Sequence, residues 1–118
     1  MMHVLSMLLI AFVALEHIGF LVLEMFLWDG PIGKRLFRLS SMVAAATKPL
    51  AANQGLYNGF LAAGLIWGLI ADRLDVKLFF LACVIIAGIF GAATVSRRIV
   101  VVQAVPAVLA LAAVWASN

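Results

Sequence analysis

Long apolar runs alternate with short charged breaks along this chain. The runs cover residues 4–28, 50–71, 78–95 and 99–116, and hold 25, 22, 18 and 18 residues. The breaks are 29–48, which contains "DGPIGKR", 72–77, "DRLDVK", and 96–98, "SRR". A helix rises about 1.5 Å per residue and a bilayer's hydrocarbon core is about 30 Å thick, so about 20 residues make one crossing. All four runs are therefore predicted as transmembrane helices, the last two barely long enough. None shows the apolar/polar alternation of a barrel strand, and in lipid only helices and closed barrels satisfy their own backbone groups. The expected fold is an all-α integral membrane protein, a four-helix transmembrane bundle forming a single domain over residues 1–118.

Composition agrees: 67% of the residues are hydrophobic and 11% charged, whereas soluble domains run near one half and one quarter. A soluble chain of this size could not cover its core with so few charges. The net charge of +3 does not point to nucleic acid, because the basic residues sit in gaps between apolar runs rather than on one continuous face. They are read as topology signals. Lys34, Arg35, Arg38 and Lys48 lie in the first break, Arg73 and Lys77 in the second, and Arg97 and Arg98 in the third. The positive-inside rule then places the first and third breaks in the cytoplasm and both termini outside. The first run has no Lys or Arg before it and is too long for a cleaved signal, so it is expected to stay in the mature protein. Cys83 is the sole cysteine, which excludes an intrachain disulfide and leaves it a packing role.

The first break is long for a bundle connection. A short interfacial helix is expected there, capped by Ser40 or Ser41 and running through Thr47, with Leu36, Phe37, Leu39 and Met42 at the lipid interface and Arg35 and Arg38 reaching phosphates. Small residues mark where helices can approach: Gly55 with Gly59 and Gly64 with Gly68 in the second run, Gly88, Gly91 and Ala92 in the third. Pro106 lacks an N–H and is expected to bend the fourth helix.

The stretch "LEHIGFLVLEMFLW" places Glu16, His17 and Glu24 inside the first apolar run. At about 100° per residue, His17 and Glu24 share a face, and Glu16 points about 100° away from His17. The second run opens with "AANQGLYNG" and returns through the membrane, bringing Asn53, Gln54, Tyr57 and Asn58 to the level of Glu24. These four span about 140° of helix surface. Deeper in, Gly64 and Gly68 are expected opposite Glu16 and His17, with room for a ligand, a water or a close helix. An ionised group in hydrocarbon costs at least ~2.5 to 3.5 kcal/mol, so these side chains must be paired, protonated or wet. Such a set suits a proton-coupled carrier or an acid/base catalyst; the alternative is a closed hydrogen-bond network that only fixes packing. His3 reads as interfacial, and Gln103 as a cavity-lining or helix-bridging amide. Glu16 and His17 are adjacent rather than one helical turn apart, and no third ligand converges, so no metal site is expected. Neither a phosphate loop nor a Ser-His-Asp set occurs, and no cofactor is expected.

Together, "LEHIGFLVLEMFLW" and "TKPLAANQGLYNGFLAAGLIWGL" resemble the short bacterial four-helix membrane proteins grouped as domain of unknown function 1304. The resemblance covers nearly the whole chain and implies a fold and a multi-pass place in the bacterial inner membrane, but no activity. Glu16, His17, Glu24, Asn53, Gln54, Tyr57, Asn58 and Gly59 fall in its most telling stretches. A likeness of architecture alone exists to small multidrug resistance transporters, four-helix dimers with a carboxylate in helix one; by analogy Glu16 stands in that role. His17, Glu24 and the longer basic loop depart from that pattern.

Three functional classes follow. The preferred one is a transporter or permease component for a small molecule or ion, working as a homodimer in the lipid bilayer, with Glu16 and His17 binding a proton or cation and Glu24, Tyr57 and Asn58 at the cytoplasmic mouth. The second is a membrane enzyme acting on a lipid, isoprenoid or quinone through acid/base chemistry. The third is a non-catalytic assembly protein.

Overall fold

A computed structural model describes residues 1–98 and 100–118. Its described residues form five α-helices and one π-helical stretch, with no strand: α1 (Met2–Met25), α2 (Pro31–Phe37), α3 (Ser41–Ala71), α4 (Leu74–Thr94), the π stretch (Val100–Ala104) and α5 (Val105–Ala116). Three helices, α1, α3 and α4, are long and apolar enough to cross a membrane. The fourth apolar segment, Val101–Ala116, is shorter; Ile99, where the sequence pattern starts it, lies outside the described residues.

The first break differs from expectation. Its short helix is α2, ahead of the serines, and the stretch from Ser41 through Thr47 is the beginning of α3 rather than a separate element. Ser40 does act as a cap, its Oγ accepting the Val43 N–H at 3.2 Å. From there Met42 and the three alanines of "SMVAAAT" are good helix formers, and the helix continues through Pro49 into the apolar run. At 31 residues α3 is about 46 Å long, more than a hydrocarbon core needs. Hydropathy detects only the part of a helix that lipid would cover, which is why the run begins nine residues late.

Two turns use the left-handed region without glycine. Arg38 (φ 54°) follows α2 and Asp72 (φ 49°) follows α3. At the second, Arg73 N–H bonds Gly68 O at 3.1 Å and Asp72 N–H bonds Leu69 O at 3.3 Å, the Schellman pattern that satisfies terminal carbonyls. At Pro106 the regular helix is restarted: the π stretch ends at Ala104, and the proline sits in the first turn of α5, where its missing N–H is not needed.

The residues group into two compact units, Met1–Leu15 with Leu61–Asn118, and Glu16–Phe60. In the first, Ile10, Val13, Ala14, Leu65, Leu81, Val84, Ala107, Ala110 and Val114 form the core. Close helix approach there depends on small residues. A Cβ on Gly64 would collide with the Phe80 ring, one on Gly68 would lie 3.0 Å from Lys77 Cγ, and one on Gly88 would lie 2.8 Å from Ala104 Cβ. The space beside Gly64 and Gly68 is thus filled by side chains of α4, so that of the three expected occupants a close helix is the one found against these glycines. The Gly91 carbonyl accepts the N–H groups of Val95 (2.8 Å) and Ser96 (3.0 Å) at the end of α4. Lys77 is buried, its Nζ 2.7 Å from Asp72 Oδ1. That bond holds the Asp72 carboxyl below the usual carboxylate range.

Candidate functional site

The second unit, Glu16–Phe60, contains every polar residue that the sequence singled out in the first two runs. Along α1 the buried or half-buried positions include Ile10, Val13, Ala14, His17, Leu21 and Glu24, at the three- and four-residue spacing of one helix face. His17 lies on that stripe and is fully buried; its ring meets the edge of Phe20 at a centroid distance of 5.2 Å. Glu16 points off the stripe and is half-buried. Its Oε1 is sealed from solvent and has no hydrogen-bond partner among the described residues. Nearly all buried polar atoms in folded proteins are hydrogen-bonded, so an orphaned carboxylate oxygen on an apolar helix requires a reason.

Glu24 is placed differently. Its Oε1 accepts a hydrogen bond of 2.5 Å from Asn58 Nδ2, and Asn58 is itself only 5% exposed. The bond forms because α1 and α3 nearly touch here. A Cβ on Gly55 would lie 2.7 Å from Met25 Cγ, 3.1 Å from Glu24 Cβ and 3.2 Å from Leu21 O. One on Gly59 would lie 2.7 Å from Leu21 Cδ1. Ala51, Gly55 and Asn58 are all buried and fall within about 60° of one another around α3. Asn53, Gln54 and Tyr57 lie on the other side of Asn58 and are exposed; the Tyr57 ring meets that of Phe60 edge-on, centroids 5.8 Å apart. Of the four expected neighbours of Glu24, the structure therefore brings one to it.

Below this pair, the ends of the helices are tied by groups that sequence reading passed over. Trp28 Nε1 donates to Thr47 Oγ1 at 3.0 Å, and that hydroxyl donates to Val43 O at 2.7 Å. Trp28 also stacks on Phe37 of α2, centroids 4.7 Å apart. Lys48 Nζ lies 3.1 Å from Asp29 Oδ2; its hydrogen bond holds the Asp29 carboxyl below the usual range. Gly33 lets α2 lie against the turn that follows α1, since a Cβ there would strike the carbonyls of Leu27 and Trp28. The available signal was the placement of Trp28 and Asp29 at the end of one run with Thr47 and Lys48 at the start of the next. Among the described residues, no three His, Cys, Asp or Glu side chains are grouped to hold a metal ion.

The geometry thus contains two kinds of carboxylate: Glu24, held by a neutral amide, and Glu16, with one oxygen buried and unpaired. Comparison with known proteins gives the family. The sequence profile described as protein of unknown function (DUF1304) matches residues 11–115. The chain belongs to this family. This DUF1304 member is also similar to an uncharacterized protein, YpaA, of Lactococcus lactis subsp. lactis (strain IL1403), at 29% identity over 114 residues, covering 93% of this chain and 96% of that one. No solved structure matches it. The family match includes Glu16, His17, Glu24, Gly55, Asn58 and Gly59, so both carboxylates and the helix contact lie inside the part of the DUF1304 member that defines its kinship.

Proposed function

We propose that the chain is a multi-pass protein of the bacterial cytoplasmic membrane and part of a transporter or permease for a small molecule or ion, in which Glu16 holds a proton or a cationic ligand and His17 stands beside it. The observation that carries this reading is the buried Glu16 Oε1 with no partner among the described residues, on a helix long and apolar enough to cross a membrane. A carboxylate there is costly, and such residues in membrane helices ordinarily serve a ligand, an ion or a proton.

The rest of the proposal follows from size and charge. Val101–Ala116, at about 24 Å, falls somewhat short of a full hydrocarbon core and would cross where the bilayer thins around it. Four crossings with both termini outside put six of the eight basic residues in the cytoplasm. So few helices leave little space for a passage within one copy, which favours a homodimer with the pathway formed between copies.

The test uses purified protein in liposomes with a pH-sensitive dye inside, and a panel of small cations and neutral solutes outside. Proton-linked flux of one solute, reduced about tenfold or more by Glu16→Gln in a protein that still folds, is the expected result. Flux unaltered by Glu16→Gln, or no proton-linked flux of any solute tested, would contradict the proposal. For Glu24 and Asn58 the 2.5 Å bond favours a second role, fixing the packing of α1 on α3, in place of a lining for the cytoplasmic mouth.

A further inference from the structure

The helix in the first break has an outward face that none of the described residues covers. Ile32 is 55% and Leu36 57% exposed, and Arg35 is also exposed. Around α2, Ile32 lies between the other two, about 60° from Arg35 and about 40° from Leu36, so the three share an arc of about 100°. The opposite side of α2 is committed: Gly33 is buried against the turn that follows α1 and Phe37 stacks on Trp28. Immediately beyond α2, Arg38 is exposed in its left-handed turn and Met42, 82% exposed, opens α3.

The charges divide in the same way. Two of the four basic residues in this break are engaged within the unit, Lys34 with Ser41 Oγ at 3.2 Å and Lys48 with Asp29 at 3.1 Å. Arg35 and Arg38 make no ion pair or side-chain hydrogen bond among the described residues. An arc with two aliphatic side chains and an unneutralised guanidinium, with a second guanidinium next to it, matches the boundary of a leaflet. There, acyl chains receive the aliphatic groups and phosphates receive the arginines as bidentate partners. The location fits as well, because α2 is packed on the turn that leaves α1, a helix long enough to cross a membrane.

We propose that α2, with Arg38 after it, is a docking helix for anionic phospholipid. Its outward arc lies in the leaflet surface, and Arg35 and Arg38 select lipids whose headgroups carry net negative charge over zwitterionic ones. The assignment is independent of what Glu16 binds.

The experiment reconstitutes the full chain in phosphatidylcholine bilayers and measures, by electron spin resonance, the association of spin-labelled phosphatidylglycerol relative to spin-labelled phosphatidylcholine. The wild-type protein is expected to prefer phosphatidylglycerol severalfold, a basic residue at an anionic surface contributing about fivefold. The preference falls toward unity in molar salt and in the Arg35→Gln/Arg38→Gln double variant, and persists in Arg35→Lys/Arg38→Lys. Ile32→Ser/Leu36→Ser lowers it by removing the apolar half of the arc. A wild-type ratio of one, or an unchanged ratio in Arg35→Gln/Arg38→Gln, overturns the proposal. Displacement of the labelled lipid by soluble glycerol phosphate also overturns it, in favour of a site for a free phosphate compound.

Discussion

At Glu24 a carboxylate that lipid would penalise is given a strong donor, and the donor is an amide with no charge of its own. Asn58 can keep that bond whether or not Glu24 carries a proton, because an N–H donates to either form of the acid. The pair is therefore suited to holding helices together. Replacing Asn58 by Ala is expected to destabilise the folded protein by about 1 kcal/mol, and a double-mutant cycle with Glu24→Ala to give a coupling of about 0.6 to 1.7 kcal/mol. Reversible unfolding in detergent micelles reads both; a coupling of zero would mean that the bond contributes nothing. Glu24→Gln, which retains an acceptor, should cost much less. The sequence placed Glu24 and Asn58 at one level of the membrane, and this much was legible from antiparallel succession alone. It could not choose Asn58 over Asn53, Gln54 or Tyr57, since polar residues spread over about 140° all look equally able to face a neighbour. The choice is made by Gly55 and Ala51, whose small side chains set which side of α3 approaches α1.

Helix α3 shows what apolar patterning detects and what it omits. Its membrane part was legible to the residue at the C-terminal end, Ala71, because Asp72 and Arg73 end the apolar run and the helix together. Its start was not, because Ser41 through Pro49 is helical without being continuously apolar. The same failure moved the short helix of the first break from its true place at Pro31–Phe37, where a proline in the first turn was the better signal. Two consequences can be measured at this scale. Gly55→Ala places a Cβ against Met25, Glu24 and Leu21, and overpacking of this kind typically costs about 1 to 3 kcal/mol. A lower melting temperature with weaker protection of Asn58 against hydrogen exchange is the expected signature; unchanged stability would mean the helices are not in contact there. The Asp29–Lys48 pair gives a pH dependence. The Asp29 carboxyl is held below its ordinary value by the bond from Lys48, so the pair's contribution is complete above the ordinary carboxylate range and is lost as the pH falls through the lowered value. Exchange protection at the start of α3, corrected for the intrinsic rate, should weaken on acidification below about pH 4. In Asp29→Asn it should be weaker throughout and insensitive to that change.

On the scale of the whole molecule, the chain is an all-α member of the DUF1304 family with three helices capable of crossing a membrane and a fourth, shorter apolar segment. Its five carboxylates divide into those at helix ends, each paired with a basic residue, and those within α1. Lys77 with Asp72, Lys48 with Asp29 and Arg73 with Asp75 make up the first group. The general class of fold was legible from apolar length and charge content, because a bilayer imposes one periodic constraint on every segment that crosses it. The sequence separated Glu16 from Glu24 by face and by role, but which of them is hydrogen-bonded was not legible, since that depends on which side chain meets a donor. That distinction is the basis of the proposed function, and chemical modification of the protein in its native membrane tests it without knowledge of any ligand. Dicyclohexylcarbodiimide partitions into lipid and reacts with membrane-embedded carboxyl groups that are protonated and unencumbered. Peptide mass analysis after brief treatment is expected to find the adduct on Glu16, with Glu24 spared behind Asn58 and labelled only in Asn58→Ala. An adduct on Glu24 with Glu16 untouched would contradict the account.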